Sequence, residues 1–459
     1  MIILKKLGEE TDAIVIPITT TINQSEGLKR ELGIADVATN VINITIGSGI
    51  FLLPALIAGI LGNASIVAYI LCGFMFLLVV LCYAEASSRI TTSGGAYAYI
   101  EKAFGPFFGF IANTLFWFGG GVLMAAALVN GIADILSAVF PIFDIAIYRA
   151  LLFLVLFIFF GYSNIKGIKQ SMKVARVTTV LKLLPLVLLV IVGLCNIDTS
   201  NLHWEGFPSI DKLGSASIIL FSAFIGGETA LNVSGEMKNP KRTAPLGLIV
   251  GVVSVVVFYS LIQIAAQSAL GSNLINLKAP LAAVAGKLAG NWGIKVLIVG
   301  GVISIFGSLY SGIQVFSRVL FAGANDGLMP GYLSKVHPKY ATPHWAIITL
   351  LIIAWFIAIS GGFRQLIILA SISMLLLYVG VALAAIKFRL KSNKEYPAAF
   401  ILPGGFFIPI TTLLILTWFI FQSKSNEISA IGIFLATLTV IYTLKLFFKK
   451  RSHNGGINL

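Results

Sequence analysis

The sequence predicts an all-α polytopic membrane protein, and three observations carry that prediction. Of 459 residues, 58% are hydrophobic and 11% charged, against roughly 25% charged in soluble domains. The mean hydropathy is +0.97. Apolar runs of about 20 residues, enough to cross a hydrocarbon core of roughly 30 Å, recur along the whole chain and leave no soluble domain over.

Taken in order, the runs cover 34–60, 64–86, 104–138, 147–164, 173–195, 213–237, 244–269, 293–323, 345–360, 364–388, 401–422 and 428–448, which makes twelve spans. Residues 1–33 are mixed polar and charged and do not resemble a cleavable signal peptide, so the first span is expected to act as its own insertion signal. An even number of spans puts both termini on one side, and the Lys/Arg distribution says which. With the N-terminus inside, 24 of the 32 basic residues fall on inner segments and 7 on outer ones, with Lys182 alone in mid-span. Both termini, including the tail 449–459, are therefore expected in the cytoplasm, with the chain in the cell membrane.

The net charge of +14 is mostly this topology. Its basic residues are dispersed over separate segments, so a nucleic-acid partner is not expected. Cys72, Cys82 and Cys195 fall in or at the ends of spans without metal-type spacing and read as packing residues. Gly47 and Gly49 fail the GxGxxG template, because Leu52 stands where the third glycine belongs. No HExxH, Walker loop or GxSxG elbow occurs either. We expect no enzyme, no cofactor and no metal.

The first span contains "VINITIGSGIFLLP", residues 41–54, with helix-loosening glycines at its centre. At roughly 1.5 Å per residue the break falls near the bilayer midplane. Freed backbone is tolerated there only where it lines protein or a water-filled cavity. One such span could be a packing kink. A second occurs in "ILFSAFIGGETALNVSGEMKNPKR", residues 219–242, where Gly226 and Gly227 interrupt the sixth span. Two sets of five spans, 34–195 and 213–388, thus each open on a broken helix. Five is odd, so the halves run in opposite senses, the pattern of a transporter with inverted repeats and a midplane site. The spans within 401–448 lie outside the repeat.

Particular stretches also resemble a known family: "GSGIFLLP" from 47, "SGGAYAYIEKAFGPFFGF" at 93–110, "SAFIGGE" at 222–228 followed by "KNPKRTAP" at 238–245, and "GANDGLMP" at 323–330. They are similar to the amino acid, polyamine and organocation (APC) superfamily of transporters, which implies a LeuT-like fold with discontinuous helices 1 and 6. By that resemblance the substrate carboxylate meets Ser48 and Gly49, with Gly47 allowing close approach. The amino group would meet carbonyls near Thr45, Ser222 and Ile225, and Phe224 resembles an aromatic gate. The candidate binding stretches are thus Thr45, Ile46, Gly47, Ser48 and Gly49 with Ser222, Ala223, Phe224, Ile225 and Gly226. Half-helix dipoles agree with this division, since freed N–H groups favour an anion and freed carbonyls an ammonium.

Lys182 lies about nine residues into its span, roughly 14 Å deep. That is too deep to snorkel easily, and an intramembrane lysine is a functional hypothesis by default. The structural alternative is an amine bonded to carbonyls. The lysine before "LLPL" is similar to that of family members lacking sodium coupling, which implies a proton switch, without deciding between symport and exchange. Glu228 is a second candidate proton or gating group, or simply a half-helix end reached by water.

Met124 and Ile313 stand where the family's arginine and agmatine exchangers offer an amide and a tryptophan, and few acidic groups are available to a dibasic substrate. The expected partners are therefore a neutral amino acid, protons and the lipid bilayer. A channel is the competing class, but no filter motif appears. Gly119, Gly120 and Gly121 read as a close helix contact as readily as a functional feature. The stretch 277–292 resembles the family's outer lid, although a plain connecting loop would look similar.

Overall fold

The computed structural model describes residues 33–454 apart from 48, 91–94, 168–171, 204–205, 230–236, 391–396, 399 and 403. The expected N-terminal segment up to residue 32, the end of the tail and Ser48 therefore lie outside the described residues. The described chain is helical, and no strand ladder forms within it.

In order, the helices are α1 (Ile34–Thr45), α2 (Gly49–Leu61), α3 (Ile66–Arg89), α4 (Ala96–Phe104), α5 (Pro106–Leu115), α6 (Met124–Ser137), α7 (Ala146–Ile165) and α8 (Met172–Cys195). There follow α9 (Ile210–Phe221), α10 (Pro240–Leu270), α11 (Pro280–Asn325), α12 (His344–Ser360), α13 (Phe363–Leu390), α14 (Phe407–Phe421) and α15 (Ser425–Asn454). A π-helical turn, Phe116–Leu123, joins α5 to α6 without interrupting the span. Among the described residues seven helices are long and apolar enough to cross a membrane, and three shorter apolar ones accompany them. The protein is a multi-pass helical membrane protein. Its outward residues agree: Val155, Ile158, Ile433 and Val440 are each more than half exposed, a cost in water that lipid removes.

Two devices place the broken first span. Gly247 and Gly251, one turn apart on α10, face Val37 and Val41 of α1. A Cβ on either glycine would lie 2.6 Å from the valine Cβ opposite, so only glycine lets these backbones approach so closely. Further along α10, Tyr259, Gln263 and Gln267 recur every fourth residue and so share one face. The Gln263 amide donates to Pro54 O at 3.5 Å, and Gln267 to Gly62 O at 2.6 Å. Helix α10 is thus a splint along α1 and α2.

A buried ion network closes the bundle where α3 and α13 end. Glu85 accepts from Arg89 Nη2 at 3.0 Å, from Arg389 Nε at 2.8 Å, from Arg389 Nη2, and from the Leu402 N–H at 3.1 Å. One carboxylate thereby ties both helices to the segment that leads into α14. On the opposite side of the bundle Arg149 of α7 pairs with Asp134 of α6 at 2.8 Å and donates to Asn130 Oδ1 at 3.0 Å.

The 277–292 stretch is helical from Pro280, and α11 bends at Gly290, whose φ of 64° is left-handed. This is a conformation that glycine adopts without strain.

Candidate functional site

The break in the first span frees particular backbone groups. Helix α1 ends at Thr45 and α2 begins at Gly49, so the carbonyls of Asn43 and Thr45 lose the donors four residues on that a continuous helix would supply. Each has found another. Lys182 Nζ, on α8, donates to Asn43 O at 2.5 Å. The Tyr259 hydroxyl, on α10, donates to Thr45 O at 2.8 Å.

The second break repeats this. After α9 the chain turns through Ser222–Gly226, and the Gly227 N–H goes to Phe224 O instead of Ala223 O. The freed Ala223 carbonyl accepts from the same Tyr259 hydroxyl at 3.1 Å. One tyrosine oxygen therefore bridges the two interruptions. Gly226 carries φ +109°, a backbone that L side chains rarely adopt, and its N–H donates to Glu228 Oε2 at 2.9 Å.

The breaks face one another at close range. A Cβ on Gly49 would lie 3.1 Å from Ala223 Cβ, one on Gly227 would lie 2.7 Å from Thr45 Oγ1, and one on Gly47 would lie 2.8 Å from Ser308 Oγ of α11. Between them is a cavity of about 350 Å³, at the lower end of the roughly 300–1,000 Å³ typical of small-molecule sites. Its polar wall includes Thr45, Ser222, Thr229, Ser304 and Ser308, and its apolar wall Met124, Leu128, Ile313 and Phe316. Thr45 Oγ1 and Ser304 Oγ are buried without a hydrogen-bond partner. Both oxygens are shielded from the cavity itself, the Thr45 hydroxyl lying against Gly227 of the second break. Lys182 is the one charged lining residue described, and no acid joins it.

The exposure of the first span changes at the break. Ile44, on the α1 side and in the cavity lining, is 36% exposed, whereas Ile50 and Leu53 beyond the break are fully buried. Among the described residues no group of three or more His, Cys, Asp or Glu is placed to hold a metal ion.

Comparison with known proteins decides the family. A family model described as amino acid permease matches residues 32–444. The chain belongs to the amino acid permease family. The APC resemblance carried by its motifs points the same way. The permease is 27% identical over 451 residues to the methylthioribose transporter of Bacillus subtilis, covering 94% of this chain and 96% of the relative. It is 26% identical to the branched-chain amino acid permease BcaP of the same organism, with 94% and 95% covered. The Bacillus subtilis serine/threonine exchanger SteT is 28% identical over 85% of this chain and 90% of its own. These relatives are transporters and not enzymes.

Of the predicted binding residues, the permease brings Thr45, Gly47, Gly49, Ser222, Ala223, Ile225 and Gly226 to the cavity wall, together with Lys182, the predicted proton-coupling residue. Ile46 and Phe224 lie off it. Phe224 is fully buried, with its ring 5.8 Å from Phe76 and 5.5 Å from Tyr259. The turn after α9 points this side chain away from the cavity, so in this conformation the aromatic on the wall is Phe316 and not Phe224. Glu228 is also off the wall, 3% exposed and beside Tyr83 and Tyr378.

Tyr259 went unnoticed in the sequence reading. Its signal was the four-residue recurrence of polar groups inside an otherwise apolar α10. Gly120 and Gly121 also line the cavity, on the π-helical turn, a departure common at functional sites.

Proposed function

We propose that this permease is a secondary active carrier of neutral amino acids, working by proton-coupled symport through alternating access. The observation that carries the reading is the pair of facing helix breaks around a cavity whose sole described charge is Lys182. The α2 N-terminus, which begins at Gly49, offers backbone N–H groups to a carboxylate. The Ser222–Ile225 turn offers carbonyls to an ammonium. A cationic side chain would meet Lys182 and no acid, which disfavours a dibasic amino acid or polyamine. The family's amino acid transporters support the substrate class.

The proposed architecture is twelve spans in a LeuT-like 5+5 inverted repeat, 34–195 and 213–388, with the helices of 401–448 outside it. Both termini face the cytoplasm of a cell-membrane protein, so the α1 side of the break, where Ile44 is exposed, lies inward. Protonated Lys182 ties α8 to α1, and loss of its proton to the cytoplasm loosens that tie. Glu228, beneath the second break, is a secondary proton or gating group.

The competing reading is a sodium-independent exchanger, favoured by the likeness to a serine/threonine exchanger. Purified protein in liposomes separates the two. A symporter accumulates labelled amino acid when a pH gradient is imposed on vesicles empty of substrate, and Lys182→Ala abolishes that accumulation. Uptake that requires amino acid inside and ignores the gradient would establish exchange instead. Accumulation by Lys182→Ala at the wild-type level would remove Lys182 from the coupling.

A further inference from the structure

The three glycines of the π-helical turn meet three other helices. A Cβ on Gly119 would lie 2.5 Å from Ser373 Cβ of α13. One on Gly120 would lie 2.6 Å from Phe316 Cε1 and Cζ of α11. One on Gly121 would lie 2.8 Å from Phe316 Cβ and 3.3 Å from Leu350 Cδ1 of α12. Gly120 and Gly121 thus form a notch that holds the Phe316 ring against bare backbone, with Phe116 edge-on at 5.3 Å. The notch and the ring both belong to the cavity wall, together with Met124 and Ile313.

The chemistry of this wall differs from that of the breaks. Next to the notch stand a thioether and the branched hydrocarbon of Ile313, with no charged side chain, so an amino acid held at its carboxylate and ammonium by the two breaks directs its side chain here. The space available depends on where the Phe316 ring lies. Seated in the notch it leaves the space beside Met124 and Ile313 to the ligand. A methyl group on Gly120 meets the far edge of the ring, the part that moves most easily, and displaces it toward the cavity.

We propose that Phe316, seated in the notch formed by Gly120 and Gly121, sets the size of the side chain accepted, and that this carrier takes neutral amino acids with bulky apolar side chains. The proposal rests on the carrier reading above and deepens it. Phe316, Gly120 and Gly121 are specificity determinants and take no part in proton coupling.

The test is counterflow by the purified full-length protein in liposomes, comparing leucine and phenylalanine with alanine. Gly120→Ala should lower the ratio of bulky to small uptake roughly ten- to a hundred-fold, the scale at which apolar pockets discriminate by one or two carbons. Adding Phe316→Ala to that variant should restore the ratio. Phe316→Ala alone adds no atom to a packed helix, so it serves if Gly120→Ala does not fold, and it should raise the ratio above that of the wild type. Equal loss of all amino acids in a folded Gly120→Ala, or an unchanged ratio in Phe316→Ala, would overturn the proposal while wild-type counterflow leaves the carrier reading standing. A wild-type protein that exchanges no amino acid of any size would overturn that reading itself, and this proposal with it.

Discussion

Tyr259→Phe removes one oxygen and leaves a ring that packs 5.5 Å from Phe224 and 6.4 Å from Tyr69. A hydroxyl has a single proton, and this one is within reach of Thr45 O and Ala223 O at 2.8 and 3.1 Å. Without it, at least one freed carbonyl of a helix break is buried with no donor. Such an acceptor costs about 1–3 kcal/mol, roughly 5- to 150-fold in an equilibrium constant at an RT of about 0.59 kcal/mol. Because the lost contact joins the two breaks, the cost should fall on the conformation that binds substrate. The expected result is an apparent KM raised by a factor in that range in counterflow, with a lower thermal midpoint in detergent. Tyr69→Phe is the control. Its hydroxyl donates to Gln263 Oε1 at 3.0 Å and touches neither break, so it should lower the midpoint and leave KM unchanged. A Tyr259→Phe protein with wild-type KM would refute the claim that this hydroxyl holds the breaks together.

Gly226→Ala places an L side chain at φ +109° with its Cβ 3.3 Å from Ile44 Cγ2. It should cost about 1–3 kcal/mol, read as a lower thermal midpoint together with weaker substrate binding. Glu85→Gln keeps the shape of the buried network but leaves Arg89 and Arg389 without their carboxylate. Breaking such a group costs about 3–5 kcal/mol, so the purified variant should unfold at markedly lower temperature, and Glu85→Asp should recover part of the loss. Glu101, on the short α4 outside the apolar spans, is held above the ordinary carboxylate range by burial and then by Asp326. The folded state therefore holds this proton to higher pH than the unfolded chain does, and stability falls as pH rises from the ordinary carboxylate value through the raised one. Glu101→Gln should remove that part of the slope in thermal midpoints measured from pH 4 to 7.

What the sequence revealed of this site depended on how strongly each feature departs from its surroundings. Glycines in the middle of an apolar run contradict helix and burial at once, so both breaks were readable, as was a lysine where hydrocarbon should be. Features that keep to the pattern were not. The π-helical turn is as apolar as the helices on either side, and only three-dimensional contact shows that Phe316 occupies the notch. Gly247 and Gly251 have helical spacing on α10, but their meaning lies in Val37 and Val41, two hundred residues away in a different span. Phe224 shows the converse failure. Its neighbours Ala223 and Ile225 do line the cavity, but a turn held by bonds three residues apart breaks the helical register of the side chains, and this one packs onto Phe76.

The Lys182 contact also bounds what a proton can do in the proposed cycle. A charge-assisted hydrogen bond contributes about 1.5–3 kcal/mol and a neutral one about 0.5–1.5, so deprotonating Lys182 weakens its hold on Asn43 O by about 1–1.5 kcal/mol. Moving a two-state equilibrium from 1:99 to 99:1 takes about 5.5 kcal/mol. The proton at Lys182 thus accounts for a minor share of the switch, and the remainder has to come from the substrate. The geometry gives the substrate a place to supply it: α1 and α2 meet at the break, and a zwitterion that reaches both the α2 N–H groups and the Ser222–Ile225 turn binds the two interruptions to each other. In the proposed cycle proton and substrate therefore act on the same joint, Lys182 from the α1 side and the carboxylate from the α2 side. In that cycle the proton's contribution alone is too small to empty one state, so the switch needs the substrate as well, as coupled transport requires.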